Sequence, residues 1–426
     1  MPLTPAGYLP RIVDAQIERA LQAFGAVCVE GPKWCGKTWA SLAHAASVYY
    51  VGDPARGFQN RDLAQLDPSL VLAGDEPRLI DEWQEVPALW DAVRFEVDKA
   101  GRRGRFLLSG SSTPQLKGVM HSGTGRIASI RMRPMSLFES GDSTGAVSLA
   151  GLFEGPLEAR ATGDVELGTL ARLIVRGGWP GALGMDVALA AELSRSYLQQ
   201  LCEQDINRID GRTRDPHKMQ LLVRSLARNE STIANNSTIR RDMLQFDDDT
   251  LSPDTLADYL SALYRVFAVV DQPAFDPNMR SSARVGKKPK RHLADPSLAA
   301  AALGANPEAL IGDLKTFGFL FEALCERDLD IYAQASGGRL LHYRDGDGRE
   351  ADAVVELPDG RWGAFEVKLG AHQIDDAAHS LLGLRAAIER QGARTPSVLA
   401  VVCGLTSFAY TRPDGVAVVP ITALRD

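Results

Sequence analysis

Apolar positions along the first third of the chain recur with two periods, and the alternation between them predicts an α/β architecture. Over residues 11–24, Ile12, Ile17, Ala20, Leu21 and Phe24 fall near the spacing of one helical face, so an amphipathic helix leads in. The short β-rich run Ala26–Glu30 follows and stops at Gly31, after which KTWASLAHAA, starting at Lys37, reads as a helix. Two further buried-strand patterns, Arg78–Asp81 and residues 105–109, are flanked by helical or polar sequence such as ALWDAVRFEVDKAG. Strands that alternate with helices imply a parallel sheet.

After Pro134 this rhythm loosens, and residues 151–190 become rich in glycine and small side chains, including RGGWPGAL at 176–183. A boundary is expected near 150–175. From 186 to 265 the apolar period is helical, with Leu193, Tyr197, Leu198 and Leu201 on one face, then Leu221, Leu222 and Leu226, then Leu256, Tyr259, Leu260 and Leu263. Ser252 is placed to cap the last of these helices, Pro253 suits its first position, and Asp254 complements the helix dipole. A β-rich run at 266–271 follows. Residues 276–292 then set Arg280, Arg284, Lys287, Lys288, Lys290 and Arg291 against Asp276 alone, which predicts a mobile basic loop.

From about 310 the order is helix, strand (LLHYRD), turn, strand (EADAVVEL), turn, strand (WGAFEVK), helix and strand (SVLAVVCG), a small α/β domain. Three units are expected: a parallel-sheet domain over 1–150, a helical segment over 151–300 and the α/β domain over 301–426. A chain of 426 residues agrees with such a division, because one hydrophobic core rarely organises more than roughly 250 to 300 residues.

Composition narrows the chemistry. A net charge of −7 supplies no chain-wide field for collecting nucleic acid, so such binding would need a local patch. The five cysteines are far apart and form no C-x-x-C pair, which argues against a zinc site or a disulfide framework and for a reducing compartment. The N-terminus has no charged region followed by an apolar stretch, and no run approaches the ~18 apolar residues of a membrane helix. A cytoplasmic location with no membrane partner is the expectation.

The strongest motif lies between the first strand and its helix. Gly31, Pro32, Lys33, Trp34, Cys35, Gly36, Lys37 and Thr38 satisfy G-x-x-x-x-G-K-[ST], a loop whose amides wrap phosphates. ATP and Mg²⁺ are the expected ligands: Lys37 would neutralise the β and γ phosphates, and the Thr38 hydroxyl would ligate the metal. An apolar strand ending in Asp81 and Glu82 supplies a second element, with Asp81 in the metal shell and Glu82 as base for the attacking water. A third strand ends in hydroxyls, and Ser109 and Ser111 are candidates to stand near the γ-phosphate or the water; serines that only favour a turn are the alternative. Arg126, in GTGRI, is a candidate to stabilise phosphate charge, within the chain or across an oligomer interface, against the alternative of an exposed structural arginine.

Taken together, the leading helix with Arg11, the glycine loop, LIDEWQEVPALWDAV, LLSGSS, GRI followed by RMRPMSLFE, and RGGWPGAL resemble a group of prokaryotic ATPases. These are of the AAA-plus type, related also to the STAND class, and their C-terminal half is known only as a domain of unknown function. The resemblance spans nearly the whole chain and implies an ATPase core, a winged-helix segment and a nuclease-like domain. The loop here is PKWCGKT where that family usually carries Arg and Gln before a small residue, so Trp34 and Cys35 alter bulk but not the phosphate-binding positions.

In the C-terminal domain, Asp352 on one strand and Glu366-x-Lys368 on the next resemble the PD-(D/E)xK nuclease pattern, and Glu322 on the preceding helix would add a fourth group. Strand alternation points Glu366 and Lys368 to one face, where carboxylates would share a divalent metal beside an ammonium. An inactive fold and a salt-bridged strand edge are the alternatives. DNA is the expected partner of the helix at 253–265 and the basic loop at 280–291, with a protein partner as the alternative.

Overall fold

Both faces of the first sheet must be covered, because its strands are apolar on both sides. In a computed structural model that describes residues 2–113, 122–244 and 251–426, β1 (Ala26–Glu30), β2 (Ser47–Tyr50), β3 (Arg78–Asp81), β4 (Phe106–Gly110) and β5 (Ile127–Arg131) form one sheet in the order β2-β3-β4-β1-β5. Every pairing in it is parallel. Strand alternation divides the side chains: Val27, Val29, Leu79 and Leu107 pack with Val13 and Ile17 of α1 (Ile12–Ala23) and with Ala40 and Leu42 of α2 (Lys37–Leu42). Ala26, Cys28, Ile80, Phe106 and Leu108 face the other way, onto Leu89, Trp90, Val93 and Val97 of α4 (Ala88–Ala100). A further helix, α3 (Ala55–Leu66), follows β2.

The two strands missing from the sequence reading, β2 and β5, are the sheet's edges. An edge strand is covered on fewer sides, so SVYY and IASIR carry little of the apolar signal that marks the central strands.

Helices 167–176, 187–200, 216–228, 236–244 and 253–265 make up the middle segment. The last is capped as expected, with Ser252 Oγ accepting from the Thr255 amide at 3.0 Å. It leads into an antiparallel hairpin of Val269–Gln272 and Lys290–Leu293. Where a basic loop is expected, the connection holds a short helix at Ala283–Gly286, and the strand begins at Lys290.

Seven strands form the C-terminal sheet, in which Arg339–Arg344, Glu350–Glu356 and Trp362–Gly370 run antiparallel and Val398–Leu405 joins parallel. Helix Leu314–Ala335 covers one face through Phe317, Phe321 and Leu324, and helix Ile374–Arg390 covers the other through Ala377, Leu381 and Ile388. The unit also recruits residues from before the helical segment: Arg160–Ala161 pairs with Phe408 and Ala409, and Val147–Ser148 pairs with the final strand. In space, therefore, the stretch around 147–161 sides with the C-terminal domain, although its place in the chain puts it with the first two units. Among the described residues, no helix is long and apolar enough to cross a membrane.

Candidate functional site

The loop between β1 and α2 keeps its shape because two of its positions exclude ordinary side chains. A Cβ on Gly31 would fall 2.2 Å from the Met132 carbonyl oxygen, and Gly36 has φ +102. Trp34 also holds a left-handed φ of 68°, a costly conformation for an aromatic residue. Arg11, buried at the entrance to α1, anchors the turn: Nη1 donates to the Cys35 carbonyl at 2.8 Å, and Nε pairs with Glu139 at 2.9 Å.

Strand register then levels the acids with the loop. Ile80 pairs with Leu108 and Val29 with Ser109, so β1, β3 and β4 end together. Lys37 is buried and donates to the Pro32 carbonyl at 2.8 Å. The Thr38 hydroxyl donates to Asp81 Oδ1 at 2.9 Å, and the Ser109 hydroxyl donates to the same oxygen. Burial raises the Asp81 pKa, while the bonds from Ser109 and Thr38 favour its charged form. Glu82 sits at the turn with φ 56°; its Oε2 accepts from Ser111 Oγ at 3.0 Å and also from the Gln84 amide.

These residues border a cleft of about 1550 Å³ between the first domain and the middle segment. Lys33, Trp34, Gly36, Lys37 and Thr38 line it, whereas Gly31, Pro32 and Cys35 are buried behind the loop. Glu82, Gln84 and Ser111 also face the cleft. Ser109 does not: it is fully buried and meets Asp81 and the Glu82 amide, so it positions carboxylates. From the middle segment come Trp179, Tyr197 and Arg208. Tyr197 stands 5.1 Å from Trp179 and 6.4 Å from Trp34 between ring centroids, and Lys33 Nζ lies 2.6 Å from Asp205.

Gln84, Asp205 and Arg208 are absent from the sequence reading. Gln84 had a local signal, two residues past the acid pair on a strand end. Asp205 and Arg208 belong to a helical region with no motif, and only folding brings them to the loop.

Arg126 is not brought to the cleft within the chain. Its neighbour Ile127 pairs with Ala26 at the start of β1, whereas the loop follows Glu30 at the other end, roughly 13 Å away at ~3.3 Å per residue. Arg126 is half exposed and pairs with Asp98 at 2.7 Å.

In the C-terminal sheet, Asp352, Glu366 and Lys368 do come together. Lys368 Nζ lies 2.6 Å from Glu366 Oε2 and 3.3 Å from Asp352 Oδ2, which also accepts from the Val367 amide at 2.8 Å. Glu322 points to the same region, but its partner is Lys290, at 2.6 Å. The basic loop accordingly presents no six-cation face. Lys290 is buried, Arg284 pairs with Glu356 at 3.0 Å, Lys287 donates to the Arg344 carbonyl, and Arg291 donates to the Tyr264 hydroxyl at 3.2 Å. On helix 253–265, Asp254, Ala257 and Ser261 are exposed, so the helix itself places no cation on this face; the exposed Arg212 beside it is paired with Asp258.

Comparison with known proteins accords with the first domain. Residues 23–140 match the family described as AAA domain, residues 167–309 a domain of unknown function (DUF8612), and residues 317–424 another (DUF4143). Two uncharacterized proteins, one from Mycobacterium bovis and one from Mycobacterium tuberculosis, are each 24% identical over 362 residues, covering 84% of this chain and 73% of their own length. The Walker-type ATPase of Pyrococcus abyssi superposes with a TM-score of 0.47 at 15% identity, over 71% of this chain and 98% of its own. The glycine loop on a parallel sheet and the match of residues 23–140 to the AAA domain family together support a P-loop ATPase domain at the N-terminus, followed by two segments whose families are described only as of unknown function.

Proposed function

We propose that the chain is a Mg²⁺-dependent ATPase that binds ATP in the cleft between the glycine loop and the middle segment. The observation that carries this reading is the 2.9 Å contact between the Thr38 hydroxyl and the Asp81 carboxylate, with the Lys37 ammonium beside them and Glu82 one residue further on. A hydroxyl and a carboxylate meeting at the foot of a phosphate-binding loop are the hard oxygen donors that Mg²⁺ favours, so the residues fit the ion. Held by Thr38 and Asp81, Mg²⁺ would supply positive charge to offset the charge that develops on the phosphates during transfer.

Lys37 binds the β and γ phosphates once its ammonium turns from the Pro32 carbonyl. Glu82 accepts the proton of the attacking water, and Ser111 and Gln84 hold its carboxylate towards the cleft. Ser109 keeps Asp81 and the Glu82 backbone in register. Arg126 serves the reaction only from a second copy of the chain, because its own cleft lies at the other end of the sheet.

Hydrolysis is coupled to the rest of the molecule through Lys33 and Trp34, loop residues that touch Asp205 and Tyr197 of the middle segment. In this reading the C-terminal half is moved by the nucleotide cycle and serves as a regulatory partner, with a nuclease-like fold that does not cut.

Uptake of labelled ATP with Mg²⁺ tests the proposal. Wild-type protein is expected to bind, Lys37→Ala to lose binding, and Glu82→Gln to bind while phosphate release falls by about 10²-fold or more. Uptake by Lys37→Ala equal to wild type rules the assignment out. Phosphate release with and without duplex DNA tests nucleic acid as the partner of the middle segment.

A further inference from the structure

Lys290 comes from the middle segment's hairpin, yet its side chain ends inside the C-terminal domain. Its ammonium lies 2.6 Å from Glu322 Oε1, 3.0 Å from Glu326 Oε1 and 3.0 Å from the Asp352 carbonyl oxygen. A lysine ammonium has three hydrogens, and here all three have acceptors. Both glutamates extend from helix Leu314–Ala335, and Asp352 lies on strand Glu350–Glu356. A cation has therefore been set where the helix faces the sheet, in the place a metal shared by Glu322 and the Asp352 strand would occupy.

We infer that Lys290, and not a divalent metal ion, is the built-in counter-ion of the C-terminal carboxylate cluster, which makes the cluster a joint between the middle segment and the C-terminal sheet instead of a hydrolytic centre. The geometry excludes both cations at once. Mg²⁺ or Ca²⁺ requires oxygens about 2.0–2.6 Å away, and one carboxylate oxygen each of Glu322 and Glu326 and the Asp352 backbone carbonyl already converge on the Lys290 nitrogen, while the Asp352 carboxylate is held by Lys368 and the Val367 amide. Lys368 occupies the other half of the cluster, between Glu366 and Asp352. Among the described residues, no group of three or more His, Cys, Asp and Glu is arranged to hold a metal ion.

Several contacts seat the hairpin besides this one. Gln272 Nε2, on the partner strand, donates to the Leu341 carbonyl at 2.8 Å and to the Asp352 carbonyl at 3.1 Å. Arg284, in the connection, pairs with Glu356. Glu326 accepts in addition from Ser231 Oγ at 3.1 Å, so a third stretch of the middle segment reaches the same carboxylate. Side chains that are nearly as buried as the apolar core, with Lys290 9% exposed and Glu326 2%, make this an interior junction. Burial works against the charge on Lys290, but Glu326, Glu322 and Asp352 outweigh it and raise its pKa above that of an ordinary lysine.

Titrating the full-length protein with Mn²⁺, without nucleotide, and following free Mn²⁺ by electron paramagnetic resonance tests the inference. Asp81→Asn serves as the background in every arm, which removes the loop's contribution. In that background the chain is expected to take up no Mn²⁺ that responds to Asp352→Asn or Glu322→Gln. Adding Lys290→Met is expected to create uptake of one Mn²⁺ per chain, abolished again by Glu322→Gln. Uptake with Lys290 in place that disappears on Asp352→Asn would overturn the inference, as would a Lys290→Met chain with native circular dichroism and no gained uptake. If Lys290→Met does not fold, the titration with Lys290 present decides alone.

Discussion

The Lys33 ammonium stands 2.6 Å from Asp205 Oδ1, which ties a variable position of the phosphate-binding loop to a helical turn 172 residues further along. Trp34, the next loop residue, is exposed at 54% and faces Tyr197 of the same segment. Both contacts sit at the cleft mouth, where a nucleotide would meet them.

Two measurements follow from that link. Lys33 is half exposed, so Asp205→Asn is expected to change stability by at most about 1 kcal/mol in denaturant unfolding. Adding ATP is expected to shift tryptophan fluorescence, and Trp34→Phe to remove most of the shift. A full shift in Trp34→Phe would mean that the loop tryptophan does not sense the nucleotide.

Ser109 and Ser111 are expected to behave differently although only one residue separates them. Ser109→Ala leaves an Asp81 oxygen and the Glu82 amide short of a buried partner, a loss of about 1–2 kcal/mol in unfolding free energy. Ser111→Ala removes one of the two donors that hold the Glu82 carboxylate at the cleft surface, the other being Gln84, and the expected result is a kcat reduced roughly tenfold with KM for ATP nearly unchanged. Steady-state ATPase assays beside urea melts distinguish the two patterns.

Arg11 serves three partners with one guanidinium: Glu139, the Cys35 carbonyl and the Arg133 carbonyl at 2.9 Å. Arg11→Met leaves Glu139 buried without its cation, at a cost of about 3–5 kcal/mol, and loosens the loop, so ATP affinity also falls. Arg11→Lys is expected to recover only part of either, because a single ammonium cannot span the same three acceptors. Equal affinity in wild type and Arg11→Met would separate the arginine from loop geometry.

His342 joins the hairpin to the C-terminal sheet and carries a pH signature. It is buried, with Nε2 3.1 Å from the Lys288 carbonyl oxygen, and burial, with Lys290 nearby, lowers its pKa from 6.5 to about 4. A histidine with a depressed folded pKa contributes stability in full above 6.5 and loses it as pH falls towards 4. His342→Gln removes that dependence. Between pH 7.5 and 5 the variant is expected to gain roughly 2 kcal/mol relative to wild type, read from denaturant midpoints. No change in the difference between the two proteins across that range would contradict the assignment.

Much of the first domain was legible in the order of residues. Strand Ala26–Glu30, the glycine loop and its helix are contiguous, so period, turn chemistry and motif all report on one local unit. Asp81 and Glu82 were legible for the same reason, as acids closing an apolar strand. The edge strands were not, because half-covered strands need fewer apolar positions.

Tertiary structure decided what depends on remote partners. Arg126 looked suited to phosphate by its neighbours in sequence, and parallel register sends it to the far end of the sheet. Lys290 read as one of six solvated cations, yet the hairpin carries it inside, onto Glu322 and Glu326. A local pattern states which groups are present and how they alternate; a charge's partner is set by which distant segments pack together, and that is a property of the closed chain.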